Sequence, residues 1–238
     1  MNSYKDYNDI TVRAFGCHSR QQEIIDRKKD IMDKVSEYYN MGNGSILFVG
    51  FNPAMIAIKS NRLYVSEIDN DGLNCLNKFR VKYEYCANPD KKFDIVVTND
   101  EYFTFTETEE SQRLKIQQYC SLTGGCLITT LRDYKNLDFK VREYSEPAII
   151  KNDDTVNIFS EIHHWDTQDR YNFETYNYYL TTNSAEMLGK FKRRTLFFKQ
   201  LAKISSDSGS NNFVVHKNLM YKSLIKKNYE HVISMDFN

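Results

Sequence analysis

SILFVGFNPA, residues 45–54, is the stretch that decides the fold. It joins a short, almost wholly apolar run to a glycine, an asparagine and a proline, and such a run is typical of a strand buried on both faces of a parallel sheet. Gly50 lets the backbone approach a ligand, Asn52 tolerates unusual backbone angles, and Pro53 suits the start of a helix. The stretch therefore predicts a strand, a ligand-binding turn and a helix in succession.

Strands and helices alternate on both sides of this stretch. Residues 19–40 have the three-to-four-residue spacing of an amphipathic helix. Beyond residue 54, the sequence predicts strands at 63–65, 82–86, 93–97 and 125–130 and helices at 73–79 and 109–122. Short apolar strands that alternate with helices indicate a parallel sheet with helices on both faces. The first half is therefore predicted to be a doubly wound α/β fold.

The sequence changes character after residue 133. Residues 147–182 are rich in β-branched and aromatic side chains around a turn-like segment at 166–172, which predicts an antiparallel hairpin or small sheet. A helix around 196–204 follows. Two closing strands are predicted at 213–216 and 231–237.

Composition excludes several classes of protein. Lys and Arg number 32, as do Asp and Glu, so the net charge is zero and a nucleic-acid clamp that acts through a whole-molecule field is excluded. No run approaches the ~20 apolar residues of a membrane span, and the N-terminus is polar where a signal peptide is apolar. Five cysteines without a C-x-x-C pair predict reduced thiols. We expect a cytoplasmic protein without a membrane partner. The many Asn, Lys, Ile and Tyr residues suggest an AT-rich genome such as that of a virus or an intracellular microbe, and a viral source would make the location the host cytoplasm.

A carboxylate closes the second predicted strand. Glu67 lies 17 residues beyond Gly50, within Ser66-Glu67-Ile68-Asp69. An acidic side chain at this point accepts hydrogen bonds from ribose hydroxyls in nucleoside-binding α/β folds, and ligands of open sheets bind at the carboxyl ends of the strands. Gly50 and Glu67 are therefore expected to face one nucleoside. The alternative is that Gly50 only closes a tight turn and Glu67 caps the next helix.

Four segments in this order resemble the class I S-adenosylmethionine-dependent methyltransferase family: ILFVGFNPA, LYVSEIDNDGLNCL, FDIVVTNDEYF and GGCLITTLRDY. The resemblance implies a Rossmann-like, mostly parallel, doubly wound sheet, an antiparallel insertion after the fifth strand and an antiparallel closing strand pair. It also implies S-adenosylmethionine as the cofactor. A single domain, 1–238, is then divided into a helical segment (1–44), a cofactor-binding half (45–134), an inserted substrate or lid region (135–190) and a closing helix and strands (191–238).

The resemblance assigns cofactor contacts to individual residues. Gly50 and Asn52 would line the methionine and ribose side, Glu67 would hold the ribose hydroxyls, and Ile68 would pack on the adenine. The acid that the family often has near the adenine has no clear counterpart here, and only Asn88 or Asp90 could substitute for it. This turn has one glycine where the family has two or three, so the rival interpretation is a non-catalytic binding or scaffold protein that has lost the cofactor.

The resemblance also points to residues that face the reacting groups. Asn99 and Asp100 follow the fourth strand, where the family places residues near the transferred methyl group or the cofactor amino group. Tyr102 belongs to a set of aromatic residues expected to favour a cationic sulfonium. The other members of this set are Phe103, Trp165, Tyr176, Tyr178 and Tyr179.

His163 is the predicted general base, on an inserted hairpin over the mouth of the site, with Asp166 to orient it. Because adjacent strand residues face opposite sides, His163 and His164 cannot both enter one site. No metal site is expected, because Glu161, His163 and Asp166 are crowded on one strand and do not build a coordination shell.

The methyl acceptor stays open between a small molecule, which we favour, and RNA. The basic stretch 190–194 interleaves charge with an aromatic residue, as in surfaces that follow a phosphate backbone, but a solvated helix start explains it equally well. Lys34, Asp100, Lys135 and Glu174 have the order of the Lys-Asp-Lys-Glu tetrad of RNA ribose methyltransferases. The oligomeric state is not predicted.

Overall fold

The computed structural model describes most of the chain beyond residue 43. The described residues are 44–51, 55, 58, 60, 62–98, 100–134, 142–145, 147–151, 156–167, 170–180, 182–222 and 229–237, together with Tyr4, Asp6, Tyr7 and Ile10. The predicted helix at 19–40 and most of the segment that follows Pro53 lie outside these residues.

The main sheet has seven strands. Across the sheet they are β11 (Asn212–Lys222), β12 (Tyr229–Asp236), β5 (Thr123–Arg132), β4 (Phe93–Val97), β1 (Ile46–Val49), β2 (Leu63–Ser66) and β3 (Glu84–Tyr85). The pairs from β3 to β5 are all parallel, whereas β12 runs antiparallel to both of its neighbours. The predicted doubly wound sheet with an antiparallel closing pair is confirmed.

Helices cover both faces of this sheet. They are α1 (Asn70–Lys78), α2 (Asp100–Thr104), α3 (Glu109–Ser121) and α4 (Phe198–Asp207). Side chains alternate along β1, so Ile46 and Phe48 pack in the layer that contains α1, and Leu47 and Val49 pack in the layer that contains α3 and α4. Burial on both faces explains why β1 is apolar throughout. In the described part of the chain, no helix has the length and apolar character needed to cross a membrane.

The connection from β3 to β4 is unusually short. Parallel strands are normally linked by a dozen or more residues, most often through a helix, but residues 86–92 make this crossover without one. Lys91 places its ammonium 4.0 Å from the centroid of the Tyr64 ring. A lysine side chain thus covers this part of β2 where a crossover helix would otherwise pack.

A second sheet follows β5. It consists of β10 (Ser184–Arg194), β9 (Arg170–Tyr179), β8 (Val156–Thr167) and β6 (Arg142–Tyr144), with β7 (Ala148–Lys151) also paired to β8, and every pairing is antiparallel. The β8–β9 pair is the predicted hairpin. Burial alternates along β8 and β9, so one face of the sheet is buried and the other is half-exposed.

Several element ends differ from the predictions. α1 begins at Asn70, three residues early, and β3 is reduced to two residues. β5 extends to Arg132 because its ladder with β12 continues that far. The basic stretch 190–194 belongs to β10 and is not a solvated helix start.

Candidate functional site

The carboxyl ends of β1 and β2 meet at Gly50. Its amide donates a hydrogen bond to the carbonyl oxygen of Ser66 at 2.8 Å, so Glu67 follows directly beside the turn that leaves β1. Strand order reverses between β1 and β4, and open α/β sheets bind ligands at that reversal. The structure therefore brings Gly50 and Glu67 together at the predicted position.

Both residues have left-handed backbone. Gly50 has φ of +79° and Glu67 has φ of +52°. Glycine adopts this conformation freely, whereas for a residue such as glutamate it costs on the order of 1–3 kcal/mol. Strain of this kind persists where the surrounding structure enforces it and is concentrated at functional sites. The unfavourable conformation at the end of β2 is that of the Glu67 backbone, and Arg80 and Asn183 have comparable positive φ elsewhere in the described chain.

Tyr4 lies against Gly50. A side chain at position 50 would overlap the Tyr4 hydroxyl group and ring. The Tyr4 ring packs edge-on against Tyr102 and Phe105, with centroid distances of 5.1 and 5.6 Å. Neither Tyr4 nor Tyr7 was predicted from the sequence as a site residue. Their three-residue spacing, which places both on one side of a helical turn, was the available signal.

Gly50→Ala is expected to destabilise the protein more than Gly209→Ala, which is its matched control. Both glycines have positive φ, so both variants incur a backbone cost of about 1–2 kcal/mol. Only at Gly50 does the added methyl group displace Tyr4, since no described residue lies within 4 Å of a Cβ at Gly209. Urea unfolding should show an extra loss of about 1–2 kcal/mol for Gly50→Ala. In a Tyr4→Ala background this extra loss should vanish, and its persistence there would contradict the assigned contact.

Tyr102 is buried beside Glu67. Its hydroxyl donates a hydrogen bond to the Tyr119 hydroxyl at 3.0 Å. Burial, followed by Tyr119 and Glu67, raises the pKa of Tyr102 far above its ordinary range, and burial also raises the pKa of Tyr119. Tyr102 thus keeps its proton and is not an available base.

Lys115 of α3 reaches the same crevice. Its ammonium donates to the backbone carbonyl of Tyr102 at 3.0 Å and lies 4.0 Å from the centroid of the Tyr102 ring. Burial lowers the pKa of Lys115 to about 8, and the nearby charge of Glu67 opposes that shift. Lys115 could not be predicted from the sequence, because its spacing on α3 does not show which strand end it reaches.

Of the other predicted cofactor residues, the structure describes Ile68 and Asn88. Ile68 is buried and packs with Phe51 in the core layer of α1, where Gly72 leaves room for it. Asn88 is exposed in the short crossover after β3. Asp100 begins α2 directly beyond β4. Asn52 and Asn99 lie outside the described residues.

Glu161 and His163 form a buried pair on β8. Their side chains are 1% and 0% exposed, and Nε2 of His163 lies 3.0 Å from Oε2 of Glu161. The Tyr7 hydroxyl donates to the other oxygen, Oε1, at 3.0 Å. The imidazole ring stacks on Tyr171 and Phe173, with centroid distances of 5.2 and 5.4 Å.

The surroundings of this pair fix its protonation. Burial lowers the pKa of His163, so its ring is neutral near pH 7. Burial alone would raise the pKa of Glu161, but the hydrogen bond from His163 and the charges of Arg132 and Arg193 leave it lowered. An ionised carboxylate therefore accepts the Nε2–H bond. Nδ1 of His163 is buried and has no hydrogen-bond partner among the described residues.

Asp166 does not orient His163, contrary to the sequence prediction. Asp166 is exposed and accepts hydrogen bonds from the Asn172 side chain at 3.0 and 3.2 Å. Residues 161 and 163 share the buried face of β8 because they are two positions apart, whereas 164 and 166 share the opposite face. His164 accordingly lies 3.7 Å from Glu174. The carboxylate that holds His163 is Glu161.

The predicted aromatic wall is also corrected. Tyr176 and Tyr178 lie on the half-exposed face of β9, opposite His163. Phe103 is fully buried in the main core. These residues therefore do not share one surface, and the rings that stack on His163 are those of Tyr171 and Phe173. Trp165 packs 4.3 Å from Tyr171, measured between ring centroids.

The basic stretch 190–194 does not present all its charges to solvent. Arg193 is 1% exposed and donates from Nε and Nη2 to Oγ1 of Thr104, at 3.0 and 2.8 Å. Glu174, from the proposed tetrad, pairs with Lys190 at 3.1 Å. Lys34 and Lys135 of that tetrad lie outside the described residues. A buried guanidinium in the middle of the stretch cannot contact a phosphate backbone.

Comparisons with known proteins give structural matches only. No family model and no curated protein sequence matches the chain. The sugar N-methyltransferase KedS8 from Streptoalloteichus sp ATCC 53650 is 9% identical, with a TM-score of 0.65 over 96% of this chain and 91% of its own. An S-adenosylmethionine-dependent methyltransferase from Clostridium acetobutylicum ATCC 824 is 10% identical, with a TM-score of 0.62 over 87% and 90%. Magnesium protoporphyrin IX methyltransferase (ChlM) from Synechocystis PCC 6803 with bound SAM is 12% identical, with a TM-score of 0.55 over 98% and 95%. At such identities the likeness establishes the fold.

Proposed function

We propose that this chain, which has the fold of the class I S-adenosylmethionine-dependent methyltransferases, binds S-adenosylmethionine and methylates a nucleophile. The observation that carries the proposal is the position of Glu67, which follows β2 with left-handed backbone directly beside Gly50, next to the reversal of strand order between β1 and β4. Unfavourable backbone conformations are concentrated at functional sites. A carboxylate at the end of the second strand can accept hydrogen bonds from the two hydroxyls of a ribose.

The residues at the crevice fit an adenosine moiety. We assign to Glu67 the hydrogen bonds with the ribose hydroxyls. At Gly50 we propose that the ligand approaches the backbone closely, and the positive φ of Gly50 is one that larger residues do not adopt freely. The earlier assignments of Asn52 and Asn99 to the methionine side, and of Ile68 and Asn88 to the adenine side, are kept as part of the proposal. When bound, the cofactor supplies an electrophilic methyl group on a sulfonium.

We assign the acceptance of the nucleophile's proton to His163. Glu161 holds the Nε2–H of the neutral ring, which leaves the lone pair at Nδ1 to take a proton, and the same carboxylate stabilises the imidazolium that forms. The raised pKa of Tyr102 argues against Tyr102 in this role. Asp100, just beyond the carboxyl end of β4, is kept with Asn99 as a residue proposed to face the transferred methyl group or the cofactor amino group.

A small molecule is the proposed acceptor. The structural neighbours include a sugar N-methyltransferase and a magnesium protoporphyrin IX methyltransferase, and the burial of Arg193 argues against an open phosphate-binding cleft at 190–194.

The proposed location is the cytoplasm. Cys86 and Cys120 are free thiols, as a reducing compartment maintains them.

Calorimetric titration with S-adenosylhomocysteine, the demethylated cofactor, tests the proposal. We expect micromolar binding, about −8 kcal/mol, and no heat with NAD at the same concentration. The rival interpretation is a non-catalytic protein of the same fold, and the contact of Tyr4 with Gly50 is the observation that favours it. No binding to the wild type, combined with binding to Tyr4→Ala, would show that Tyr4 fills the cofactor space and would end the methyltransferase proposal.

A further inference from the structure

We infer that Tyr7 is a positioning residue for His163, because its hydroxyl group holds the Glu161 carboxylate ionised and turned toward the imidazole ring. The inference rests on the proposed function, in which His163 accepts the proton of the nucleophile. It adds a residue from the N-terminal segment to a pair that otherwise lies within β8.

The two oxygens of the Glu161 carboxylate have different partners. Oε1 accepts a hydrogen bond from the Tyr7 hydroxyl group and Oε2 accepts one from Nε2–H of His163, each at 3.0 Å. The side chain is buried, so rotation of the carboxylate would break hydrogen bonds that water does not replace. The backbone is held as well, since the Glu161 amide donates to the Ser145 hydroxyl oxygen at 2.7 Å. Tyr7 is the donor that fixes Oε1.

Aromatic packing holds the Tyr7 ring in place. Its centroid lies 5.2 Å from that of Phe105 and 5.4 Å from those of Phe173 and Phe191. The contacts with Phe173 and Phe191 are edge-on, an arrangement that aromatic pairs prefer. Phe173 also stacks on His163, so one ring contacts both residues that donate to the carboxylate. The position of the hydroxyl group therefore depends on the same packing as that of the imidazole.

Charged groups act on Glu161 from two other elements. Arg132 of β5 and Arg193 of β10 attract its negative charge, whereas hydrogen bonds from Tyr7 and His163 set the direction of the carboxylate. A donor that bonds to a carboxylate stabilises the ionised form, because the protonated form is a weaker acceptor. Tyr7 therefore favours the same protonation state as the two arginines do.

Loss of the Tyr7 hydroxyl group should make the pair easier to protonate. The state with an ionised carboxylate and a neutral ring would lose a hydrogen bond, whereas the state with a protonated Glu161 would lose less. The Glu161–His163 pair then takes up its first proton at higher pH, and Glu161 holds a larger share of it. A protonated carboxyl group donates to Nε2, which moves the ring proton to Nδ1. Nδ1 then has no lone pair with which to accept a proton.

Nuclear magnetic resonance of the Tyr7→Phe variant tests the inference, because phenylalanine keeps the ring and removes only the hydroxyl group. Isotope labels at the Glu carboxyl carbons and the His ring nitrogens report the protonation of Glu161 and the tautomer of His163, and Glu161→Gln identifies the carboxyl signal. Between about pH 4 and about pH 8, we expect the first proton to bind about one pH unit higher in the variant than in the wild type. The Nδ1–H tautomer should appear as that proton binds.

Tyr134→Phe is the matched control. Tyr134 belongs to the same aromatic cluster as Tyr7 and is buried like it. The donors to the Glu161 carboxylate are Tyr7 and His163, so removal of the Tyr134 hydroxyl group should leave the titration of the pair as in the wild type.

The outcomes distinguish this inference from the proposed function. An unchanged titration in Tyr7→Phe would overturn the role of Tyr7 and leave the methyltransferase proposal standing. An equal change in Tyr134→Phe would assign the effect to a loosened core and overturn the inference as well.

Calorimetry with S-adenosylhomocysteine separates the two further. Tyr7→Phe should bind it as the wild type does, because the lost hydroxyl group contacts Glu161 and not the crevice at Gly50. Weaker binding by the variant would mean that Tyr7 acts by placing the N-terminal segment, which contradicts the inference. Absence of binding by the wild type would overturn the proposed function, and the role of Tyr7 in methyl transfer with it, whatever the titration shows.

Discussion

Glu67→Gly is expected to abolish S-adenosylhomocysteine binding while leaving the protein about as stable as the wild type. The substitution removes a carboxylate assigned to two ribose hydroxyls, and charge-assisted hydrogen bonds of this kind support a loss of about 100-fold or more. It also relieves the left-handed backbone at φ of +52°, which offsets the greater freedom of glycine in the unfolded chain. Calorimetry and urea unfolding measure the two effects, and stability should stay within about 1 kcal/mol of the wild type.

Arg80→Gly is the matched control for this variant. Arg80 also has positive φ, at +56°, but it follows the C-terminus of α1 as an exposed residue, where its amide bonds to the Asn77 carbonyl. Glycine is the preferred residue at such a helix end. This variant should bind S-adenosylhomocysteine as the wild type does. Undiminished binding by Glu67→Gly would mean that the carboxylate does not hold the ligand, and the central assignment would be lost.

Glu161→Ala is expected to lower the free energy of unfolding by about 3–5 kcal/mol, the usual result of removing one partner from a buried charged network. Glu161 is 1% exposed and accepts from both Tyr7 and His163. Its removal leaves these two donors unpaired inside the protein. It also removes a negative charge near the buried Arg193, whereas Arg132 keeps its ion pair with Glu230. Urea unfolding with the wild type as reference measures the loss.

Glu174→Ala provides the comparison within the same sheet. Glu174 lies on the half-exposed face of β9, 3.1 Å from the exposed ammonium of Lys190, and exposed ion pairs contribute about 1 kcal/mol or less. Both substitutions remove the same side-chain atoms, but Glu161 lies on the buried face of the sheet and Glu174 on the half-exposed face. If Glu161→Ala cost no more than Glu174→Ala, the buried network would contribute little to stability, and the case for His163 as an oriented base would weaken with it.

The N-terminal residues connect these two sites. Tyr4 lies on Gly50 in the main sheet, Tyr7 donates to Glu161 in the second sheet, and Ile10 packs close to Gly189 of β10. Three side chains from one short segment thus contact both sheets. The second sheet therefore reaches the carboxyl edge of the first through the N-terminus as well as through the chain that follows β5.

The sequence determined the main sheet because each of its signals is local. Burial on both faces makes β1 and β4 apolar throughout, and Thr108 caps α3 through the Ser111 amide, so these elements begin and end near the predicted residues. The hairpin of β8 and β9 could also be predicted, because its strand composition and its turn residues are local features of the sequence. Strand ends that depend on pairing with a strand distant in sequence were not predicted. One example is the end of β5, which is set by its pairing with β12.

The candidate site shows where local information ends. Gly50 and Glu67 could be found from the sequence, because parallel strands bring their carboxyl ends to one edge whatever else the chain does. The sequence predicted Asp166 as the partner of His163, whereas the observed partner is Glu161. Glu161 and His163 lie on the same, buried face of β8, and only the structure shows which face is buried. Tyr4 and Lys115 reach the crevice from elements distant in sequence, and only tertiary packing, which depends on the whole chain at once, placed them there.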